Sequence, residues 1–117
     1  MATHSSSDIN TQLAGAQQLI QQGELTQALK ILDSLPEEAS MNTGARYMRG
    51  VCYRHLKHFS EAETLFRQIL EDEPSHARAF QELGHLYRDA DMRVEALNSY
   101  ATACHLNPAL KASWVGQ

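Results

Sequence analysis

The fold class expected from this sequence is all-α, a stack of antiparallel helix pairs, and three observations lead there. First, residues recur every 34 positions: Gly50 with Gly84, Tyr53 with Tyr87, Ala62 with Ala96, Phe66 with Tyr100 and Pro74 with Pro108. A period of this length marks stacked helical hairpins, because one hairpin cannot bury its apolar face alone and leans on its neighbour. Second, apolar residues between these markers return at the three- and four-residue spacing of amphipathic helices. Third, the recurring residues are small or aromatic. A glycine inside a helix costs about 1 kcal/mol against alanine, so Gly50 and Gly84 at one register mark a close helix approach. Ala62 and Ala96 offer the matching small surface on the partner helix, and the aromatics fill the remaining core.

Taken in order, Met1 to Ser7 are polar and form an expected disordered lead-in. Residues 8–117 form one repeat domain, with approximate repeats 9–42, 43–76 and 77–110 and a partial repeat 111–117. Ser7 or Asp8 caps a first helix that carries Leu13, Ala16, Leu19 and Ile20 and stops at Gly23. A second helix runs from about Leu25 to Leu35 and is ended by Pro36, with Glu37 to Asn42 expected as a loop. Ala16, Leu19, Ala28 and Leu32 stand 34 residues before Gly50, Tyr53, Ala62 and Phe66, so this is a first repeat without aromatics. Its Gln12, Gln17, Gln18, Gln21, Gln22 and Gln27 suit the solvated face of a terminal unit. The third helix spans about Asn42 to Leu56. Ser60 and Glu63 predict a capping box for the fourth, and Ser75 a cap for the fifth, which runs to about Ala90. The sixth covers Arg93 to Leu106.

With those residues in place, the stretch Phe80, Leu83, Gly84, Tyr87, Ala96, Tyr100, Ala103 and Pro108 resembles the tetratricopeptide repeat, with Phe80 standing where that family prefers Trp. The preceding unit departs from the pattern at Arg46 and Arg49, where the family places a large aromatic and a Leu. The resemblance implies a right-handed superhelix of about three hairpins plus the start of a fourth. It also implies a concave groove lined by the first helix of each hairpin. Carried over position by position, the groove candidates are Leu13, Gln17 and Ile20, then Tyr47, Val51, Arg54 and His55, then Arg78, Gln81, His85, Arg88 and Asp89.

Arg54 and Arg88, one repeat apart, suggest a clamp for the carboxylates of an acidic peptide, since guanidinium groups grip them bidentately. The competing reading pairs these arginines internally with Glu82 or Asp89. Family members that bind chaperone tails use a set of cationic and amide residues. At the corresponding Leu13, Gln17, Met48, Arg78 and Glu82, Arg78 alone suits that role, so a chaperone C-terminus is not expected.

Other function classes find little support. The formal charge of -4 disfavours nucleic acid as a partner. No apolar run approaches a membrane span, and no secretory signal opens the chain. Cys52 and Cys104 lack metal or redox spacing and suit a reduced, cytoplasmic protein. No phosphate loop, nucleophile elbow or cofactor motif occurs. His55 and His58 lie on one helix three residues apart, which is too few ligands for a metal site. No catalytic, cofactor-binding or metal residue is therefore assigned.

Trp114 follows Phe80 by 34 residues, so a fourth repeat is expected to begin there, in a piece of a longer protein. The junction Asn107 to Leu110 followed by Ala112-Ser113-Trp114 is similar to junctions in bacterial sulfotransferases with an N-terminal tetratricopeptide region. An incompletely covered end predicts a homodimer through the C-terminal face. Two functions follow as expectations: a scaffold holding a peptide or partner domain in the groove, and a non-catalytic accessory region of a larger enzyme.

Overall fold

The computed structural model describes the backbone of residues 6–110 and the side chains of residues 8–110. The lead-in before Ser6, the partial repeat 111–117 and Trp114 lie outside the described residues. Among those described, seven α-helices and a closing 3-10 turn follow one another without a strand. They are α1 Ser6–Gln21, α2 Leu25–Asp33, α3 Glu37–Ser40, α4 Thr43–His55, α5 Phe59–Asp72, α6 Ala77–Asp89 and α7 Arg93–Leu106, followed by the turn Pro108–Leu110. The most extensive packing joins α1 to α2, α4 to α5 and α6 to α7, and the hairpins are then stacked by α2 against α4 and α5 against α6. The result is elongated, 50 × 25 × 23 Å.

The second and third hairpins are each tied together by one small residue facing one large ring. A Cβ added at Gly50 would lie 2.7 Å from the Phe66 ring, and one added at Gly84 would lie 2.6 Å from the Tyr100 ring. Overpacking of that kind costs about 1–3 kcal/mol, which outweighs the roughly 1 kcal/mol helix penalty of glycine. In the first hairpin the positions hold Ala16 and Leu32, both fully buried: a larger small partner and a smaller large one.

The turns inside the hairpins also repeat. Gly23, Lys57 and Asp91 all have positive φ, at 82, 68 and 64°. The next amide in each case reaches back to close the helix: Glu24 to Leu19 O, His58 to Tyr53 O and Met92 to Tyr87 O, at 2.7–2.8 Å. This is the left-handed helix stop with its long return bond.

Four sequence expectations need correction. α1 already includes Ser7 and Asp8, so neither caps it. The segment Glu37 to Asn42 is not a loop throughout: Pro36 serves as N-cap of α3, whose Ser40 amide bonds the Pro36 carbonyl. Glu37 and Glu38 favour its first turn through the helix dipole, and Ala39 is buried beneath it. The Ser60 capping box does not form, because the left-handed turn at Lys57 starts α5 at Phe59, with His58 as its N-cap. Ser60 instead offers its carbonyl to Thr64 Oγ1, and Glu63 turns toward Tyr87. Nor does Ser75 cap α6; that role falls to His76, whose Nδ1 accepts from the Ala79 amide at 3.0 Å.

Candidate functional site

The groove wall is built from α1, α4 and the start of α6, and it has two chemically different halves. Toward α1 there is a cleft of about 520 Å³ lined by Gln17, Ile20 and Gln21 of α1, by Thr43, Gly44, Tyr47, Met48 and Val51 of α4, and by His76 and Arg78. Five of the expected groove residues, Gln17, Ile20, Tyr47, Val51 and Arg78, therefore line one cavity. Leu13 does not; it packs on the core shared by α1, α2 and α4.

Asn42 sets the entry of α4 into this cleft, its side-chain oxygen accepting from the Gly44 and Ala45 amides. Tyr47 lies edge-on to Phe66 and stacked on His76, so the floor is rigidly packed. Arg78 is exposed, touches Gln81 Oε1 at 3.4 Å and makes no ion pair among the described residues. It is the groove's available cation.

Toward α6 and α7 the wall closes on itself. Arg54 is only 8% exposed. Its Nε donates to Glu82 Oε1 at 3.1 Å and its Nη1 to Asp89 Oδ2 at 2.9 Å. Glu82 accepts a further bond from the Tyr47 hydroxyl at 3.1 Å. Arg88 donates to the other oxygen of Asp89, 3.2 Å away. The two arginines do come side by side, but the carboxylate between them belongs to the protein. A buried pair of this kind is strongly destabilised when one partner is removed, by about 3–5 kcal/mol.

The titrating groups respond accordingly. Burial pushes the Tyr47 hydroxyl well above its ordinary range, reinforced by the Glu82 charge. Burial alone would raise Asp89, but hydrogen bonds from Arg54 and Arg88 hold it below the usual carboxylate range. His55 and His85 are both lowered, mainly by burial. The Nε2 of His55 sits 3.1 Å from Arg54 Nη2 and must accept there, so the ring is neutral in this contact. His85 Nδ1 lies 2.6 Å from the Tyr100 hydroxyl, and Gln81 is buried.

Arg46 and Arg49, the two departures from the repeat pattern, leave the groove altogether. Arg46 is buried and bonds Asp72 at 2.8 Å; Arg49 lies 3.9 Å from Asp33. Both line a second concavity between α3, α4 and α5, where their stems stand in for apolar packing. Cys52 is fully buried, its thiol pushed up to about 11 by burial and by the Asp33 charge. Cys104 is half-buried.

Helical hairpins stacked in register, with a half-apolar cleft along their first helices, define an α-helical repeat protein. Its sequence carries the corresponding signature: the tetratricopeptide repeat model matches residues 19–83, more than half of the chain. The chain belongs to the tetratricopeptide repeat family, whose repeats generally mediate protein–protein interactions. A comparison with curated proteins finds no match. Among the described residues no helix is long and apolar enough to cross a membrane, and no group of three or more His, Cys, Asp or Glu side chains could hold a metal ion.

Proposed function

We propose that this chain is an interaction module that grips a segment of a partner protein in the cleft between α1 and α4. The supporting observation is the composition of that cleft: Ile20, Tyr47, Met48 and Val51 offer an apolar seat, Gln17 and Gln21 offer amides at its rim, and Arg78 stands at one end. An apolar side chain enters the seat, the amides bond the segment's backbone, and Arg78 takes an acceptor or a carboxylate from it. Arg54 and Arg88 are not counted as contacts, because Asp89 already joins them. The contact is thus an apolar anchor with one charge rather than an arginine clamp.

Peptides selected from a random display library against the intact chain test it. They are expected to share an apolar anchor, and to lose binding when Ile20 is changed to Lys or Arg78 to Glu while helicity is unchanged. Added salt should weaken the Arg78 contribution, as for an exposed charge, and leave the apolar contribution standing. Binders that tolerate both substitutions would refute the cleft as the site.

A further inference from the structure

Arg46 and Arg49, which the cleft leaves unused, meet on the far side of α4. Their spacing, continued by Tyr53, sets these three residues along one stripe of the helix, about half a turn from the Tyr47, Met48 and Val51 of the cleft. The stripe borders the concavity between α3, α4 and α5, of about 510 Å³, which Thr64, Leu65 and Gln68 of α5 close from the other side. That is room for a small ligand or an inserted side chain.

The two guanidinium groups carry more donors than the protein uses, since each has five N–H groups. Arg46 is 6% exposed, yet among the described residues its one acceptor is Asp72, 2.8 Å from Nη2, and its Nε is buried without a partner. Arg49 reaches the Ser40 carbonyl from Nη1 at 3.5 Å, Asp33 stands 3.9 Å from its Nε, and that Nε accordingly lacks a hydrogen bond as well. Buried donors left in this state favour an incoming acceptor, and a carboxylate makes the strong, charge-assisted form of that bond. With each Nε covered, the outer Nη groups are the ones to meet it.

The other lining residues limit what the anion can be. Glu37 and Glu61 are both exposed, and neither forms an ion pair among the described residues. They repel a second negative charge, so a lone carboxylate suits the site better than a phosphate. Met41, 60% exposed, adds an apolar lip on which the methylene stem of a side chain can rest. We infer that this concavity is a second binding site, which takes the carboxylate of an Asp or Glu side chain of a partner protein between Arg46 and Arg49. It lies on the opposite side of α4 from the cleft and does not depend on what the cleft holds.

Nuclear magnetic resonance of the intact chain, following the arginine Nε–H signals, reads this directly. The probe is N-acetyl-glutamate N-methylamide, a carboxylate side chain on a peptide unit. It should move the Arg46 and Arg49 signals saturably in the millimolar range, whereas its glutamine analogue should leave them in place and inorganic phosphate or acetate should bind more weakly. Arg49→Leu, which puts back the residue type the repeat pattern places there, should lower the affinity by more than about tenfold with helicity unchanged. Arg78→Glu, in the cleft, should not alter it, so the two sites fail or stand separately. No saturable movement, an equal response to the glutamine analogue, or full binding by Arg49→Leu would overturn the inference. Phosphate binding as tightly as the probe would make this a general anion site, and acetate doing so would assign it to free carboxylates; either result overturns the reading as a seat for a protein side chain.

Discussion

At the scale of single residues, the hairpins are specified by paired volumes. Gly50 faces Phe66, Gly84 faces Tyr100, and Ala16 and Leu32 hold the same two places in the first hairpin. Gly84→Ala should destabilise by about 1–3 kcal/mol, less the roughly 1 kcal/mol that alanine returns in helix propensity. The sharper test copies the first hairpin into the second. Gly50→Ala combined with Phe66→Leu should be more stable than the sum of the two single changes by about 0.5–3 kcal/mol. Urea unfolding of the four proteins measures the coupling, and strict additivity would contradict the pairing. Arg54 shows the opposite kind of residue, one whose role comes from distant partners. Its carboxylates stand 28 and 35 positions along the chain, and nothing local distinguishes it from an exposed arginine.

At the scale of elements, the three left-handed turns set where every second helix begins. Only Gly23 suits its conformation without cost; Lys57 and Asp91 adopt it as L residues, at about 1–2 kcal/mol each. Glycine at those positions removes that strain while adding about 0.4–1 kcal/mol of unfolded-state entropy. Lys57→Gly and Asp91→Gly should therefore each stabilise by up to about 1 kcal/mol, read as a raised thermal midpoint. A lowered midpoint in both would show that the side chains, not the backbone, hold the turns. These turns also explain what sequence could and could not convey. The helix order and the register were legible because Gly, Ala and aromatic side chains at a fixed period report helix contacts directly. Ser60 and Ser75 were misleading because a serine caps only if the preceding turn delivers it to the helix entrance, and here His58 and His76 arrive there. α3 was hidden by its length, since four residues after a proline carry too little periodicity to separate a helix from a loop. Within the groove, the cleft residues Gln17, Ile20, Tyr47, Val51 and Arg78 followed from the repeat register together with the groove that the family resemblance implies. The closing of its other half by Glu82 and Asp89 did not, because it depends on rotamers chosen across two helices, α4 and α6.

At the scale of the whole molecule, the two cores are unequal. The one shared by α4 to α7 contains Phe66, Tyr87 and Tyr100, whereas the one beneath α1 and α2 is made of Leu, Ala and Cys side chains with no ring among its buried residues. In a stack where each hairpin is held by its neighbours, the end with the smaller buried groups opens first. That end supplies one wall of the cleft, through Gln17, Ile20 and Gln21. A ligand seated there would act as a latch on the molecule's loosest door. Occupancy at about 100 times its Kd should suppress opening by about a hundredfold, so hydrogen exchange of the α1 amides should slow by that factor while exchange in α6 and α7 barely changes. Equal protection throughout, or none in α1, would contradict this coupling. Affinity for a partner would then be set as much by how readily α1 departs as by the side chains that touch the ligand, and a substitution at buried Ala16 or Ala28, out of reach of any ligand, could retune recognition from behind the wall.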